Sequence, residues 1–96
     1  MVSIEWTKEA NFDFDHILAY LASASPQYAQ TLFEKVNDAL FNLEKFPKIG
    51  RKVPESDNDQ DRELFIQSYR LIYRFCEHEN KIYIVMLIHG SRILEL

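Results

Sequence analysis

Five arginines in the second half of this 96-residue chain, Arg51, Arg62, Arg70, Arg74 and Arg92, are the side chains best equipped for chemistry. A guanidinium donates two parallel hydrogen bonds from one planar fork, which suits it to phosphate or carboxylate oxygens. Arg70 and Arg74 sit in the alternating stretch Tyr69–Cys76, where Tyr69, Leu71, Tyr73 and Phe75 share one strand face and Arg70, Ile72, Arg74 and Cys76 the other. Two pleat repeats separate the two arginines, about 13 Å along the strand. If the aromatic face packs inward, both arginines point outward. Arg62 begins the preceding strand and Arg92 follows the last one, so both are expected near the same surface. Two readings stay open: a surface that docks phosphate or a partner, or arginines paired locally with Glu63, Glu77 and Glu95. No general base stands out beside them.

Other reactive patterns fall away on inspection. Asp57-Asn58-Asp59-Gln60-Asp61 imitates the start of a calcium loop, but the sixth position is Arg62 where a tight turn needs Gly, and the twelfth is Ser68 where a bidentate Glu belongs. His16, His78 and His89 are scattered without metal-ligand spacing, and Cys76 is the only cysteine, so neither a metal site nor a disulfide framework is expected. Cys76 carries no nucleophile signature and reads as a small strand residue. Gly50 and Gly90 are the only glycines, which excludes a phosphate-cradling loop. No cofactor is expected.

The elements that must position these residues are legible from periodicity. Val2–Trp6 alternates as a half-buried strand, and Thr7 can cap the helix that follows, in which Ala10, Phe14, Ile17, Leu18 and Leu21 face inward and Glu9, Asp13 and Asp15 face solvent. Ser25-Pro26 restarts a second helix, with Ser as N-cap and Pro at the first helical position. Its inward stripe is Ala29, Leu32, Phe33, Val36, Leu40 and Leu43. Phe46-Pro47-Lys48-Ile49-Gly50-Arg51 breaks the helix and opens a polar loop, Lys52 to Asp61, which is expected to be mobile. Three strands follow, around Leu64–Ile66, Tyr69–Cys76 and Lys81–His89, joined by turns at Gln67-Ser68 and Glu77–Asn80 into an antiparallel meander. The last is apolar on both faces, as a central strand should be. The fold class is therefore α+β, in the order β-α-α-β-β-β, with a helical hairpin packed on one face of a small, mainly antiparallel sheet. Residues 1–96 are expected to form a single domain.

Composition narrows the partners. The net charge is −4, which argues against indiscriminate nucleic-acid binding. Residues 1–45 carry three basic and seven acidic side chains, whereas residues 46–96 carry eight of each, so any basic patch must come from the second half. The longest apolar run, Ile82–Ile88, falls far short of the roughly 20 residues that span a bilayer. Met1–Glu5 has neither the basic nor the apolar region of a signal peptide, so a cytoplasmic protein without membrane contact is expected.

Taken in order, Ser25-Pro26, Phe46–Arg51, Arg62-Glu63-Leu64, Tyr69–Arg74 and His89-Gly90-Ser91-Arg92 resemble the ParE/RelE superfamily, the small toxins of type II toxin–antitoxin modules. The resemblance covers nearly the whole chain. It implies a toxin neutralised by a cognate antitoxin that wraps across its surface, adding a strand at a sheet edge and an amphipathic helix in an apolar groove. It leaves two targets. RelE-like members cleave messenger RNA on the ribosome, and by that likeness Arg70, Arg92 and His89 would be the candidate catalytic residues. ParE-like members, associated with plasmid stabilisation, block DNA gyrase. This chain departs from the ribonuclease pattern: Asp61 and Glu63 stand where lysines would precede, and no Tyr follows Arg92. The resemblance therefore favours ParE-like gyrase inhibition over RNA cleavage, with an inactive toxin-derived binding module as a third reading and no sequence-specific DNA binding by the chain alone. On that basis Arg51, Arg62, Arg70, Arg74 and Arg92 form the target- or partner-binding set, and charge reversal at Arg70 or Arg92 is expected to abolish toxicity while leaving the fold intact.

Overall fold

A computed structural model describes residues 1–92. Strand β1 (Ser3–Trp6) leads into helices α1 (Lys8–Ala24) and α2 (Pro26–Lys45). Strands β2 (Arg51–Lys52), β3 (Asp61–Ile66), β4 (Tyr69–Cys76) and β5 (Lys81–His89) follow, with a single 3-10 turn at Glu77–Glu79 between the last two. The sheet order is β1-β5-β4-β3-β2. β2 through β5 pair antiparallel in sequence, and β1 pairs parallel to β5, which places β5 centrally and explains its apolar residues on both faces.

The helical hairpin turns on one residue. Ser25 closes α1 by donating its N–H to the Leu21 carbonyl at 2.7 Å, and its Oγ accepts the Tyr28 N–H at 3.3 Å to open α2. Pro26 fills the first position of α2, where a missing N–H costs nothing. At the other end of α1 the Thr7 hydroxyl accepts from Ala10 N at 3.1 Å, while the Thr7 N–H donates to Ile84 O at 3.0 Å, so the helix starts where the β1–β5 ladder ends.

Both helices cover one sheet face. Leu32, Val36 and Leu43 of α2 and Ala10 and Phe14 of α1 meet Leu71 and Tyr73 of β4 and Ile82, Ile84 and Leu87 of β5 in the core. Phe14 lies between Trp6, at 5.3 Å, and Phe33, at 6.1 Å, both nearly parallel to it. Two details of the helix reading change. Phe33 stays half exposed because its ring flanks Phe14 at the hairpin surface instead of entering the core, and Asp13 is half-buried.

The chain between α2 and β3 is more ordered than its composition predicts. Arg51–Lys52 adds a fifth strand, pairing with Glu63 and Arg62, and β3 begins at Asp61. The intervening loop is fastened by short side-chain turns: Ser56 Oγ accepts from Asn58 N and donates to Asp61 Oδ2, and Asn58 Oδ1 accepts from Gln60 N. Val53 is buried at its start. Gly50 is required where it stands. Its N–H donates to the Tyr73 hydroxyl at 2.9 Å, and a Cβ there would lie 2.7 Å from both that hydroxyl and the Glu63 carbonyl oxygen. No described helix is long and apolar enough to cross a membrane.

Leu32→Ala should cost about 2–5 kcal/mol in urea unfolding, because the side chain is fully buried, and half-buried Leu40→Ala should fall at or below the low end of that range. Gly50→Ala should also destabilise, by about 1–3 kcal/mol, since the added methyl meets backbone and a fixed aromatic ring. A Gly50→Ala variant as stable as the parent would contradict this packing.

Candidate functional site

Strand register decides which arginines can meet. Across β3 and β4, Asp61 faces Arg74, Glu63 faces Ile72 and Phe65 faces Arg70, whereas Arg62, Leu64 and Ile66 face the core residues Tyr73, Leu71 and Tyr69. Side chains alternate across a strand, so Asp61, Glu63, Arg70 and Arg74 occupy the face away from the helices. Arg51, opposite Glu63, joins them.

Glu63 is the centre of this cluster and is 1% exposed. Its Oε1 accepts from Arg70 Nε at 2.8 Å and from Arg70 Nη2, and its Oε2 accepts from Arg51 Nε. Arg70 is itself only 4% exposed. Its outer edge forks onto a second carboxylate, Glu55 of the loop, with Nη1 to Oε2 and Nη2 to Oε1 both at 2.8 Å. Nη1 also donates to the Arg92 carbonyl at 3.2 Å. Arg51 remains exposed at its tip and lies over the Phe65 ring at 5.0 Å. Beside the cluster, Arg74 grips Asp61 through Nε to Oδ1 at 2.6 Å and Nη2 to Oδ2 at 3.0 Å.

The electrostatics follow from these contacts. The Glu55 hydrogen bonds are the largest influence on Arg70; burial opposes them, Glu63 adds to them, and the guanidinium is held above the usual arginine range. Burial alone would raise the Asp61 carboxyl, but the hydrogen bonds from Arg74 and Ser56 and the Arg74 charge outweigh it and bring its pKa below the usual value.

The five arginines do not form one surface. Arg51, Arg70 and Arg74 share the open face. Arg62 belongs to the helix side, where Nη1 donates to the carbonyls of Gly50 at 2.7 Å and Lys48 at 3.4 Å. Arg92 contributes its carbonyl to the cluster and also lines a shallow cleft with Phe12, Asp13 and His16 of α1. His89 pairs with Tyr69, whose ring it meets edge-on at 5.6 Å, so it lies on the opposite face from Arg70, which pairs with Ile88. Its Nδ1 accepts the Ser91 N–H at 3.2 Å. Of the local partners expected for the arginines, Glu63 is one; Glu77 instead pairs with Lys48, and Glu95 lies outside the described residues. Because Arg70 is buried between two carboxylates, charge reversal there adds a third to the cluster, and the expectation of an intact fold gives way. Glu55 was the unforeseen member: nothing in a polar loop marks one acid among several as the one that folds back. Among the described residues, no group of three or more His, Cys, Asp or Glu side chains could hold a metal ion.

A family model described as the ParE toxin of the type II toxin–antitoxin system parDE matches residues 4–94. No curated protein matches the sequence. Among solved structures, the chromosomal ParDE toxin–antitoxin system of P. aeruginosa is similar at 20% identity and a TM-score of 0.74, over 95% of this chain and 98% of that one. The isolated E. coli RelE toxin is similar at 11% identity and a TM-score of 0.69, over 97% and 88%. The intact E. coli RelBE toxin–antitoxin complex gives 13% identity and a TM-score of 0.70, over 96% and 100%. At such identities the structures share the fold.

Two outcomes are expected of the cluster. Arg70→Ala leaves the Glu63 carboxylate buried with half its partners and should destabilise by about 3–5 kcal/mol, while Arg70→Ala combined with Glu63→Gln should recover part of that loss in a double-mutant cycle. Additive losses would show that the pair is not coupled. For Asp61, the folded carboxyl has the lower pKa, so its contribution is complete above the unfolded value of about 4 and is lost as pH falls through the folded one. The stability gap between the parent and Asp61→Asn should therefore narrow as urea unfolding is repeated from pH 6 down to pH 2.5.

Proposed function

Because the chain belongs to the ParE toxin family of type II toxin–antitoxin systems, we propose that it arrests growth in the ParE manner, by binding and blocking DNA gyrase, and that a cognate antitoxin holds it inactive. Residues 1–96 act in this reading as one cytoplasmic toxin domain, without a cofactor. One observation carries the choice between gyrase and messenger RNA: the residues that a ribonuclease would have to combine are not combined. Cleavage needs a group that exchanges a proton near neutral pH beside the arginine that steadies the phosphate. His89 and Arg70 lie on opposite faces of the sheet, and the Arg70 guanidinium is already occupied by Glu55 and Glu63. Arg92 lines a cleft against α1 and meets Arg70 only through its backbone carbonyl among the described contacts. What the open face offers is an ion-paired surface, which suits binding. The antitoxin is supported by the similarity in fold to toxins solved with their antitoxins, such as the RelBE complex.

The test follows DNA and protein synthesis side by side after induction in bacteria, through thymidine and methionine incorporation. Thymidine incorporation should fall first, and purified protein should inhibit gyrase supercoiling in vitro. An early fall in methionine incorporation with intact supercoiling would overturn the gyrase reading and direct attention to RNA cleavage.

A further inference from the structure

Arg70 holds its two carboxylates in different ways. Glu63 comes from the neighbouring strand, is fully buried, and contacts the inner edge of the guanidinium through Nε and Nη2. Glu55 comes from the loop between β2 and β3 and meets the outer edge end-on, one oxygen to each terminal nitrogen. That is the planar, bidentate geometry with which arginine recognises a carboxylate ligand. We propose that the outer edge of Arg70 is a carboxylate-binding site that Glu55 fills in cis, and that an Asp or Glu side chain of a partner protein takes its place when the Val53–Gln60 loop lifts.

Three features support exchange at Glu55 and not at Glu63. The Glu55 side chain is 22% exposed and Glu63 not at all, so water and a competitor reach the outer pair alone. The loop lies between strands, and beyond Val53 and the Ser56–Asp61 hydrogen bond at its base its Lys52–Asp59 pair is weak, at 3.3 Å between side chains that are 64% and 89% exposed. Glu63 also orients Arg70 from within the sheet, so the fork keeps its aim after Glu55 departs. Charge then defines the occupant. With Glu55 withdrawn, Arg51 and Arg70 face Glu63 alone, an excess of one positive charge in a chain whose net charge is −4. A tethered carboxylate competes at an effective concentration on the order of millimolar, so one free carboxylate cannot displace it; a segment bearing several can. A peptide carboxylate reproduces the contacts that Glu55 makes, one oxygen of a planar group to each terminal nitrogen. The inference concerns an acidic protein segment and does not depend on whether the cellular target is gyrase.

Binding of a fluorescent decapeptide of alternating Glu and Ala, measured by anisotropy on the full chain, tests the site directly. Glu55→Ala should bind it at least tenfold more tightly than the parent, and Arg70→Lys added to Glu55→Ala should remove the gain. Equal affinity in parent and Glu55→Ala, a gain that survives Arg70→Lys, or an equal gain for a single-stranded RNA decamer would each overturn the proposal. A second measurement needs no variant. Saturating peptide should accelerate amide exchange of residues 53–60 in the parent, and unchanged exchange would count against the latch even if the variants fail to fold.

Discussion

A carboxylate removed from water must be answered within the protein, and Glu63 imposes that demand on everything around it. Its two oxygens are satisfied from both neighbouring strands, by Arg70 of β4 and Arg51 of β2. Arg51 can reach it only because the preceding Gly50 lacks a Cβ, letting the backbone close against the Glu63 carbonyl and the Tyr73 hydroxyl. Arg70 then needs a second acceptor for its remaining nitrogens, and Glu55 and the Arg92 carbonyl supply it. One buried charge thus ties together the break after α2, three strands, the following loop and the end of β5. Strand β2, exposed at both of its residues, brings no buried side chain of its own to the core.

The same constraint changes what an arginine count means. Eight basic residues in the second half of the chain suggest a surface prepared for an anion, but eight acidic residues accompany them, and on the open sheet face the two sets are matched in space. An arginine already saturated by carboxylates contributes rigidity and orientation before it contributes attraction. Such a face recognises a partner by shape and by exchange of like groups, carboxylate for carboxylate, and offers little to a polyanion that brings no compensating change. This is the physical link between the ion pairs and the binding mode of action proposed for the chain.

How far the sequence discloses this arrangement depends on the range of the interaction. Periodicity reports local geometry, so the Ser25-Pro26 junction, the Leu32–Val36–Leu43 stripe and the alternating faces of Tyr69–Cys76 are all legible from residue spacing. Strand β2 is two residues long and has no period to read. Asp61 reads as the end of the polar loop because its burial depends on a partner across the sheet. Parity is the sharpest case. Arg62 and Glu63 are adjacent, yet one joins the helix side and the other anchors the open face, because successive strand residues point in opposite directions. Grouping all five arginines on one surface required a register that the sequence does not state. Glu55 is less legible still, being one acid in an acidic loop whose significance comes from folding back over Arg70.

Similarity in fold to toxins that share only 11–20% of residues with this chain makes the division of labour plain. The helix-facing layer needs apolar side chains of suitable volume, a requirement that many sequences meet, so the architecture persists while the residues change. The opposite face is under no such requirement. There, a few polar residues decide whether an arginine stands open toward a phosphate or closed against a carboxylate, and a loop of fewer than ten residues is enough to make the difference. In this chain Glu55 closes it. A change in what the open face presents can therefore arise without disturbing the core, through the loop between β2 and β3 and the parity of the charged residues beside it.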